Sequence, residues 1–357
     1  MATNKTKGGV LDRAMLTEAV PRLLSWYAAV KKPLPWRLSP TAYHVWISEI
    51  MLQQTRISAA IPYYERFLRA LPDVKALAEV DDEVLMKLWE GLGYYSRARN
   101  LKKAAVRVMA EHGGELPQTA RELRTLDGIG PYTAGAIASI AFGQPSAAVD
   151  GNVLRVISRL AALEDDVMSA ATRGRVTAAL EEIYPSGEDA GNLTQALMEL
   201  GENICIPNGE AKCAVCPLAE LCLARQQGRQ DDLPVKTPPK PRRIEKRTVL
   251  LLKCGEQYAL ARREKKGLLA GLWEFPNVDG HLDAGGALEA ARALGASPLS
   301  ATPVGDALHV FSHVEWHMIG YLVECDRLPT ALAHATPDVI RAEYAIPKAF
   351  RAYLAKI

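Results

Sequence analysis

Residues 126–142 read LDGIGPYTAGAIASIAF, and this stretch decides the fold of the first part of the chain. Gly128, Ile129 and Gly130 can form a tight turn, because glycine adopts backbone angles that other residues avoid. Pro131 is well suited to the first turn of a following helix, which the small residues after it allow to pack closely. The pattern predicts two helices joined by a hairpin, whose free backbone N–H groups suit a DNA phosphate. An ordinary link between two helices is the alternative for this stretch alone.

The chain on both sides of this hairpin, from residue 14 to residue 225, reads as a series of helices. Apolar residues recur there at three- and four-residue spacing, and proline and glycine punctuate the pattern. The segments with this period read TAYHVWISEIMLQQ, ISAAIPYYERFLRAL, DDEVLMKLWEGLG, SRARNLKKAAVRVMAEHG and NVLRVISRLAAL. We therefore predict a mainly α-helical domain over residues 1–229.

The rest of the chain has a different pattern. Residues 230–247 include the proline-rich, basic run VKTPPKPRRIEKR, which is typical of an extended linker. Short runs rich in branched and aromatic residues follow, such as RTVLLLKC, QYALARRE and VEWHMIGYLVEC, and they predict strands. The runs GALEAARALG and PKAFRAYLAKI predict helices. We expect an α/β domain over residues 248–357.

Length and composition agree with this division. A chain of 357 residues with 48% hydrophobic and 24% charged residues suits two folded domains and excludes a mainly disordered chain. No apolar run approaches the ~20 residues that span a bilayer. The first residues lack the apolar core of a secretory signal, so we expect a cytoplasmic protein without a membrane partner. The net charge of +2 neither requires nor excludes nucleic acid as a partner.

Four of the six cysteines lie within residues 205–222. Cys205, Cys213, Cys216 and Cys222 supply four soft ligands, and the two-residue gap between the middle pair lets both thiolates reach one metal centre. Zinc and an iron–sulfur cluster both fit four thiolates, and unligated thiols are a third reading. The single outer cysteines favour an iron–sulfur cubane over a zinc ribbon, with a structural role.

Two carboxylates stand in positions of chemical interest. Glu49 lies in HVWISEIMLQQT, where Trp46 is one of its apolar neighbours on a helix. An apolar face raises the pKa of a carboxyl group and suits it to general-acid catalysis, although a partly exposed helix glutamate is the alternative. Asp150 follows the apolar run SAAV and precedes a predicted helix, where an N-cap is the commonest role of aspartate.

Several of these motifs together resemble a known family. In chain order, SEIMLQQT, GLGYYSRARN, LDGIGPYTAGAIAS, VDGNVLRV and the cysteine segment resemble the helix–hairpin–helix DNA glycosylases. More narrowly, LPWR, MLQQT, LLAGLWEFP and HVFSH are similar to motifs of the MutY-type A/G-specific adenine glycosylases, and the resemblance runs from about residue 25 to the C terminus.

The resemblance implies a helix–hairpin–helix glycosylase domain with a [4Fe-4S] cluster loop at residues 205–222, followed by a Nudix-like domain that recognises the lesion. The implied enzyme acts in base-excision repair on double-stranded DNA. It flips and hydrolyses adenine mispaired with 8-oxoguanine or guanine. The resemblance further implies a monomeric, nucleoid-associated bacterial protein whose four cysteines bind the cluster.

It also implies roles for the residues of the reaction. Glu49 protonates the adenine leaving group at N7, and Asp150 stabilises the oxocarbenium-like sugar, as paired carboxylates do in glycoside hydrolysis. Asn152 orients Asp150 or a water. Tyr132 stands where bifunctional relatives carry a lysine that forms a Schiff base, so a monofunctional enzyme that leaves an abasic site is expected.

Further residues are assigned to DNA by the same resemblance. Flipping a nucleotide requires groups that fill the gap in the stack. The implied contacts are Gln54 and Tyr94 as wedge and intercalator, Leu34, Trp36 and Glu199 in the adenine pocket, Gly128 and Gly130 in the hairpin, and Phe311, Ser312 and His313 at 8-oxoguanine. A packed helix-end aromatic is the alternative for Tyr94, a core residue for Trp36, and a polar strand turn for residues 311–313.

Two other functions compete with this hypothesis. The stretch GLLAGLWEFP resembles the Nudix fold, but GHLDAGGALEAARALGAS lacks the acidic box that would hold magnesium, which argues against a nucleotide pyrophosphohydrolase. A catalytically silent iron–sulfur DNA-binding protein is disfavoured because Glu49 and Asp150 are both present.

The chain departs from the family pattern at two places. Residues 206–212 separate the first two cysteines by one residue more than usual, and Leu154 stands where a lysine is common.

Overall fold

The structure is a computed structural model that describes residues 10–238 and 240–357. These residues form two compact units. The first unit comprises the described residues up to Ala78 together with Asn100–Pro238, and the second comprises Glu79–Arg99 together with residues 240–357. The predicted fold class, a mainly helical part followed by an α/β part, is confirmed. No sequence pattern predicts that Glu79–Arg99 groups with the C-terminal residues.

The helices between residues 10 and 238 follow the predicted apolar period. They are α1 Arg13–Val30, α2 Pro35–Leu38, α3 Ala42–Leu52, α4 Ile57–Ala70, α5 Val74–Glu79, α6 Asp82–Leu88, α7 Ser96–Glu111, α8 Ala120–Leu123, α9 Pro131–Phe142, α10 Gly151–Leu160, α11 Ala170–Glu181, α12 Glu188–Asn203 and α13 Leu223–Gln226, with a 3-10 turn at Cys213–Val215. Several begin at a side-chain cap: Thr41 accepts from His44 and Asp81 from Glu83, which satisfies N–H groups that a helix leaves unpaired. None of the helices that the structure describes could span a lipid bilayer.

The predicted hairpin joins α8 to α9. Gly128 has a φ of +75°, and an added Cβ would lie 2.7 Å from the Cβ of Asn100, so only glycine fits this turn. Gly130 is the N-cap of α9 and Pro131 its first residue, as the sequence predicts. Gly135 lets α9 approach the following chain closely, since a Cβ there would lie 2.4 Å from the carbonyl oxygen of Ala147.

The core of the first unit lies among α1, α10, α11 and α12. Leu23 of α1, Val153 and Ile157 of α10, Val176 of α11 and Leu197 of α12 belong to one apolar cluster and are almost completely buried. The N-terminal end of α10 and the middle of α12 are thereby held in fixed positions, and both carry candidate site residues.

The second unit contains a mixed sheet. Its elements are β1 Arg243–Cys254, β2 Gln257–Arg262, β3 Trp273–Glu274, β4 Asn277–Asp279, α14 Ala284–Ala293, β5 Ser297–Val310, β6 Val314–Arg327, β7 Ala333–Ala335, α15 Pro337–Glu343 and α16 Arg351–Leu354. The strand order is β3-β2-β1-β6-β5, with β4 beside β1 and β7 beside β2. Strands β1 and β6 are parallel, and β5 and β6 form a long antiparallel pair.

The apolar run of β1 is buried on both faces of this sheet. Val249 and Leu251 face one apolar cluster, which includes Phe350. Leu250 and Leu252 face the other, against Ala287 and Ala291 of α14. The continuous run of leucines is therefore explained, because a strand covered on both sides needs apolar residues at every position.

Strand β5 was not predicted, and β1 begins earlier than expected. Pro298, Pro303 and Gly305 hid the β5 pattern, but they lie at the bulges of an edge strand, where such residues are tolerated. The strand β1 begins at Arg243, inside residues 230–247 that were predicted to be a linker, because its first residues pair with Val314 and its neighbours on β6.

The segment Glu79–Arg99 is joined to the rest of the second unit by side-chain bonds. The carboxylate of Glu83 accepts from the indole N–H of Trp273 at 2.9 Å and pairs with Arg262 at 2.5 Å. Other bonds run from Lys87 Nζ to the carbonyl of Tyr344 at 3.1 Å, from the N–H of Ile346 to Glu90 at 2.9 Å, and from Arg99 to the carbonyl of Ala270 at 2.9 Å. Single polar contacts of this kind leave no periodic pattern of apolar residues, so they cannot be predicted from the sequence.

Candidate active site

A cavity of about 690 Å3 lies in the first unit. It is large enough for a nucleobase with its sugar. The candidate residues that line it are Leu34, Trp36, Glu49, Gln54, Tyr132, Asp150, Asn152 and Glu199. They come from separate helices and loops between α2 and α12, so the fold brings together residues that are far apart in the sequence.

Glu49 and Tyr132 meet inside this cavity. Helix α3 carries Glu49, which is only 7% exposed, and this differs from the partly exposed alternative. The hydroxyl of Tyr132, at the start of α9, donates a hydrogen bond to Glu49 Oε2 at 2.6 Å. The same hydroxyl lies 3.6 Å from the sulfur of Met198 on α12. The carboxyl group thus has one fixed partner in apolar surroundings.

These surroundings change the acidity of Glu49. Burial raises its pKa from 4.5 to about 7, because the charged form loses its hydration. The hydrogen bond from Tyr132 opposes this rise, the charge of Asp150 adds to it, and Arg37 opposes it. A carboxyl group with a pKa near 7 is protonated in a large fraction of molecules at neutral pH and can donate a proton.

Asp150 combines a structural position with a place in the cavity. It is the N-cap of α10, where its Oδ1 accepts from the N–H of Val153 at 2.8 Å. The amide of Asn152 donates to its other oxygen at 2.9 Å. Burial raises the pKa of Asp150, and these hydrogen bonds oppose the rise because they stabilise the carboxylate. The N-cap interpretation is confirmed, and it is compatible with a role in chemistry.

Arg155 connects Asn152 to the cysteine segment, and no sequence argument identified it. Arg155 is 4% exposed. It donates to Asn152 Oδ1 at 2.8 Å and to the carbonyl of Cys205 at 2.6 Å. Its position three residues after Asn152 places both on one side of α10, which is the signal that could have revealed it.

Two further residues that line the cavity form an ion pair that is largely buried. Arg37 and Glu199 approach to 2.5 Å, and Glu199 is 4% exposed. Trp36 is 7% exposed and places its ring edge-on against Tyr64 at 5.3 Å, so it is both a core residue and part of the cavity wall. Sequence reasoning missed Arg37, although it directly follows Trp36 in the motif LPWR.

Gln54 and Tyr94 share a rare backbone conformation. Gln54 has a φ of +60° and Tyr94 a φ of +47°, which residues with a Cβ seldom adopt. Such conformations concentrate at functional sites. Gln54 lines the cavity of the first unit, whereas Tyr94 belongs to the second unit and is 46% exposed, which does not fit a packed aromatic.

The side chain of Tyr94 contacts the turn between β5 and β6. Its hydroxyl lies 3.0 Å from the hydroxyl of Ser312. Ser312 and His313 are exposed, whereas Phe311 is half-buried with its ring 4.9 Å from Trp316. Phe311 thus anchors the turn to the sheet, and Ser312 is presented beside Tyr94.

Comparisons with known proteins agree with these features. Residues 47–186 match the HhH-GPD superfamily of base excision DNA repair proteins, and residues 247–356 match the NUDIX domain. An adenine DNA glycosylase of Homo sapiens is 34% identical over 96% of this chain and 75% of its own length. The adenine DNA glycosylase of Rattus norvegicus is 36% identical over 85% of this chain and 70% of its own length. That of Buchnera aphidicola subsp. Acyrthosiphon pisum is 33% identical over 71% of this chain and 72% of its own length.

The chain belongs to the adenine DNA glycosylase family. It is therefore a DNA glycosylase of base excision repair, and the family expected from its motifs is confirmed. Among solved structures, a thermostable thymine-DNA glycosylase has a TM-score of 0.52 and 25% identity, and covers 60% of this chain and 98% of its own. Endonuclease III in a trapped DNA complex has a TM-score of 0.52 and 24% identity, and the match covers 61% of this chain and 99% of that chain. This likeness supports the helical fold.

The four clustered cysteines line one small cavity of about 30 Å3. Arg159 and Arg225 line it as well, and a guanidinium nitrogen of Arg159 lies 3.3 Å from the sulfur of Cys205. Within residues 10–238 and 240–357, no group of three or more His, Cys, Asp or Glu side chains is placed to hold a single metal ion. Four soft donors beside two cations nevertheless form a set that suits an anionic metal–thiolate centre.

Proposed function

We propose that this glycosylase releases adenine mispaired with 8-oxoguanine or guanine and leaves an abasic site without cutting the strand. The observation that carries the proposal is the buried Glu49–Tyr132 pair in a cavity that Asp150 also lines. Glu49, with a pKa of about 7, protonates the leaving adenine at N7. The alternative of a silent DNA-binding protein is weakened, because a buried carboxyl group bonded to Tyr132, in a cavity that Asp150 also lines, suits acid catalysis.

Asp150 stabilises the positive charge that develops on the sugar as the glycosidic bond breaks. Its two oxygens are held by Val153 and Asn152, so the carboxylate needs no reorganisation during the reaction. Leu34, Trp36 and Glu199 form the walls of the adenine pocket, with Arg37 fixing Glu199. Gly128 and Gly130 shape the hairpin that binds a DNA phosphate, and Gln54 and Tyr94 fill the gap left by the flipped nucleotide.

Tyr132 gives a direct test of the reaction class. A phenol cannot form an imine, so the enzyme should produce alkali-labile sites without nicking the strand, and borohydride should trap little enzyme on DNA. Tyr132→Lys should be trapped on DNA that already contains an abasic site, because its amine would lie near the sugar. The same variant should release adenine slowly, since the ammonium group would lower the pKa of Glu49.

Trapping by borohydride is measured on denaturing gels with Tyr132→Phe as the matched control, which has no amine. Wild-type enzyme that nicks DNA at the rate of adenine release would contradict a monofunctional reaction. Tyr132→Phe that is trapped as well as Tyr132→Lys would show that another amine attacks the sugar.

The turn at residues 311–313 should read the lesion. Phe311→Ala with Ser312→Ala removes the ring that anchors the turn and the hydroxyl beside Tyr94. One lost base contact typically reduces discrimination about 10- to 100-fold, so the preference for 8-oxoguanine over guanine opposite adenine should fall on that scale. The measurement is the ratio of single-turnover rates on the two duplexes. Ser300→Ala, an exposed serine of β5, is the control, and an unchanged ratio in the double variant would remove this role.

Cys205, Cys213, Cys216 and Cys222 would hold a [4Fe-4S] cluster, which when bound ties the segment 205–222 together. The protein should be brown and contain about four iron and four sulfide per chain. Cys213→Ser should lose iron and bind DNA weakly, whereas Cys254→Ser, outside the segment, should keep both. Stoichiometric zinc in colourless protein would replace this proposal by a zinc site.

A further inference from the structure

The loop that carries Tyr94 has an unusual conformation. Three of its four residues have positive φ: Gly91 at +96°, Gly93 at +73° and Tyr94 at +47°. The left-handed region is easy for glycine but unfavourable for tyrosine. The Tyr94 ring is nevertheless 46% exposed, so burial of the ring does not explain why the loop keeps this shape. We refer to residues 91–94 as the Tyr94 loop.

Arg97 lies behind this loop and is bonded to it. Its side chain is 9% exposed. One guanidinium nitrogen donates to the carbonyl oxygens of Leu92 and Gly93, both at 3.1 Å. The guanidinium carbon is 5.3 Å from the centre of the Trp89 ring and 5.6 Å from the centre of the Tyr94 ring. The guanidinium therefore fixes two carbonyls of the loop and also contacts the intercalating ring.

Trp89 supports the same loop from the core. It is fully buried, and its indole N–H donates to the carbonyl of Gly93 at 3.0 Å. Two buried donors thus converge on Gly93, the residue directly before Tyr94. These bonds stabilise the conformation that the loop has in the structure.

An arginine suits this position better than other cations. Its planar group can donate to two carbonyls in one plane while its faces contact aromatic rings, whereas lysine offers a point charge. Burial lowers the pKa of Arg97 to about 10, and the nearby Tyr94 opposes this fall. The group therefore remains charged at neutral pH, and the charge strengthens both hydrogen bonds.

We propose that Arg97 is a positioning residue for adenine excision: it holds the Tyr94 loop so that the exposed ring is ready to enter the base stack. This inference rests on the intercalating role proposed for Tyr94. Arg97 is buried and acts through the loop, not through contact with the reacting atoms. Its loss should therefore slow extrusion of the nucleotide and leave cleavage of the glycosidic bond unchanged.

The test compares two substrates in each enzyme preparation. One duplex has adenine opposite 8-oxoguanine, and the other has adenine opposite an abasic site, where no partner base must be separated. Arg97→Met should slow single-turnover release from the first duplex about 5- to 100-fold, the range expected for loss of one base–aromatic stack. Release from the second duplex should change little, with the same dependence on pH.

The ratio of the two rates does not depend on the fraction of folded enzyme, so a variant that only folds poorly keeps the wild-type ratio. Arg97→Lys should give an intermediate ratio, because it restores the charge and one hydrogen bond. Arg292→Met, an exposed arginine of α14, should leave the ratio unchanged. A wild-type ratio in Arg97→Met would overturn the inference.

A double-variant cycle separates this inference from the function on which it rests. If Arg97 acts through Tyr94, then Tyr94→Ala and Arg97→Met together should lower the ratio no more than Tyr94→Ala alone. Additive effects would mean that Arg97 acts elsewhere. A wild-type ratio in Tyr94→Ala would remove the intercalating role and this inference together. A lowered ratio in Tyr94→Ala together with a wild-type ratio in Arg97→Met would overturn only the role of Arg97.

Discussion

Glu49→Gln should abolish adenine release while leaving affinity for mispaired DNA largely intact. A neutral amide occupies the same space and can still accept the hydrogen bond from Tyr132, but it cannot give a proton to N7. General-acid catalysis typically contributes about 10²–10⁴-fold, and we expect a loss of single-turnover rate of at least that size. Glu65→Gln, an exposed glutamate of α4, is the matched control.

The pH dependence should identify Glu49 as the source of this effect. Since its pKa is raised to about 7, the wild-type rate should fall about tenfold per pH unit above that value as the acid is lost. The rate should also fall at low pH, where protonation removes the charge of Asp150. The residual rate of Glu49→Gln should lack the fall at high pH. Retention of most of the wild-type rate in Glu49→Gln would sink the assignment, whatever the shape of its profile.

Stability should follow the same titration. The folded-state pKa of Glu49 lies above its ordinary 4.5, so the folded protein binds the proton more tightly than the unfolded chain. The resulting stability is fully present below about 4.5 and is lost as the pH rises through about 7. Glu49→Gln should therefore lose less thermal stability than wild type over that interval, which a series of melting curves would detect.

Local patterns predicted the residues whose position depends on a helix period or a single turn. The apolar face around Glu49, the cap at Asp150 and the hairpin at Gly128 are all properties of neighbouring residues. The cavity follows once the helices that carry them pack through a common core. Residues that act through long-range polar bonds are harder to identify, because the partners of Arg37 and Arg155, which are Glu199 and the carbonyl of Cys205, lie far away in the sequence.

The second unit illustrates the same limit in its secondary structure. β1 and β6 were found because buried strands need continuous or alternating apolar residues. β5 was missed, since an exposed edge strand tolerates proline at its bulges and shows no apolar face. The grouping of Glu79–Arg99 with this unit depends on polar partners such as Trp273 for Glu83, which only the folded chain reveals.

Asp150→Asn should cause the second large loss, and for a different physical reason. Asparagine is as good an N-cap as aspartate, so its side-chain oxygen can still accept from Val153 and α10 should keep its first turn. The negative charge that faces the developing cation on the sugar is lost. Removing one preorganised electrostatic group typically costs about 10²–10³-fold in rate, and we expect at least this fall in single-turnover release.

The pH profile of this variant gives a sign that a weakened cap cannot imitate. The charge of Asp150 is one of the causes that raise the pKa of Glu49, so its removal should lower that pKa. The fall in the residual rate of Asp150→Asn should then begin at a lower pH than in wild type. Asp12→Asn makes the same change at the N-cap of α1, away from the cavity, and should alter neither the rate nor the profile. A nearly normal rate in Asp150→Asn would leave the N-cap as the whole role of Asp150, and an unshifted profile would mean that its charge does not act on Glu49.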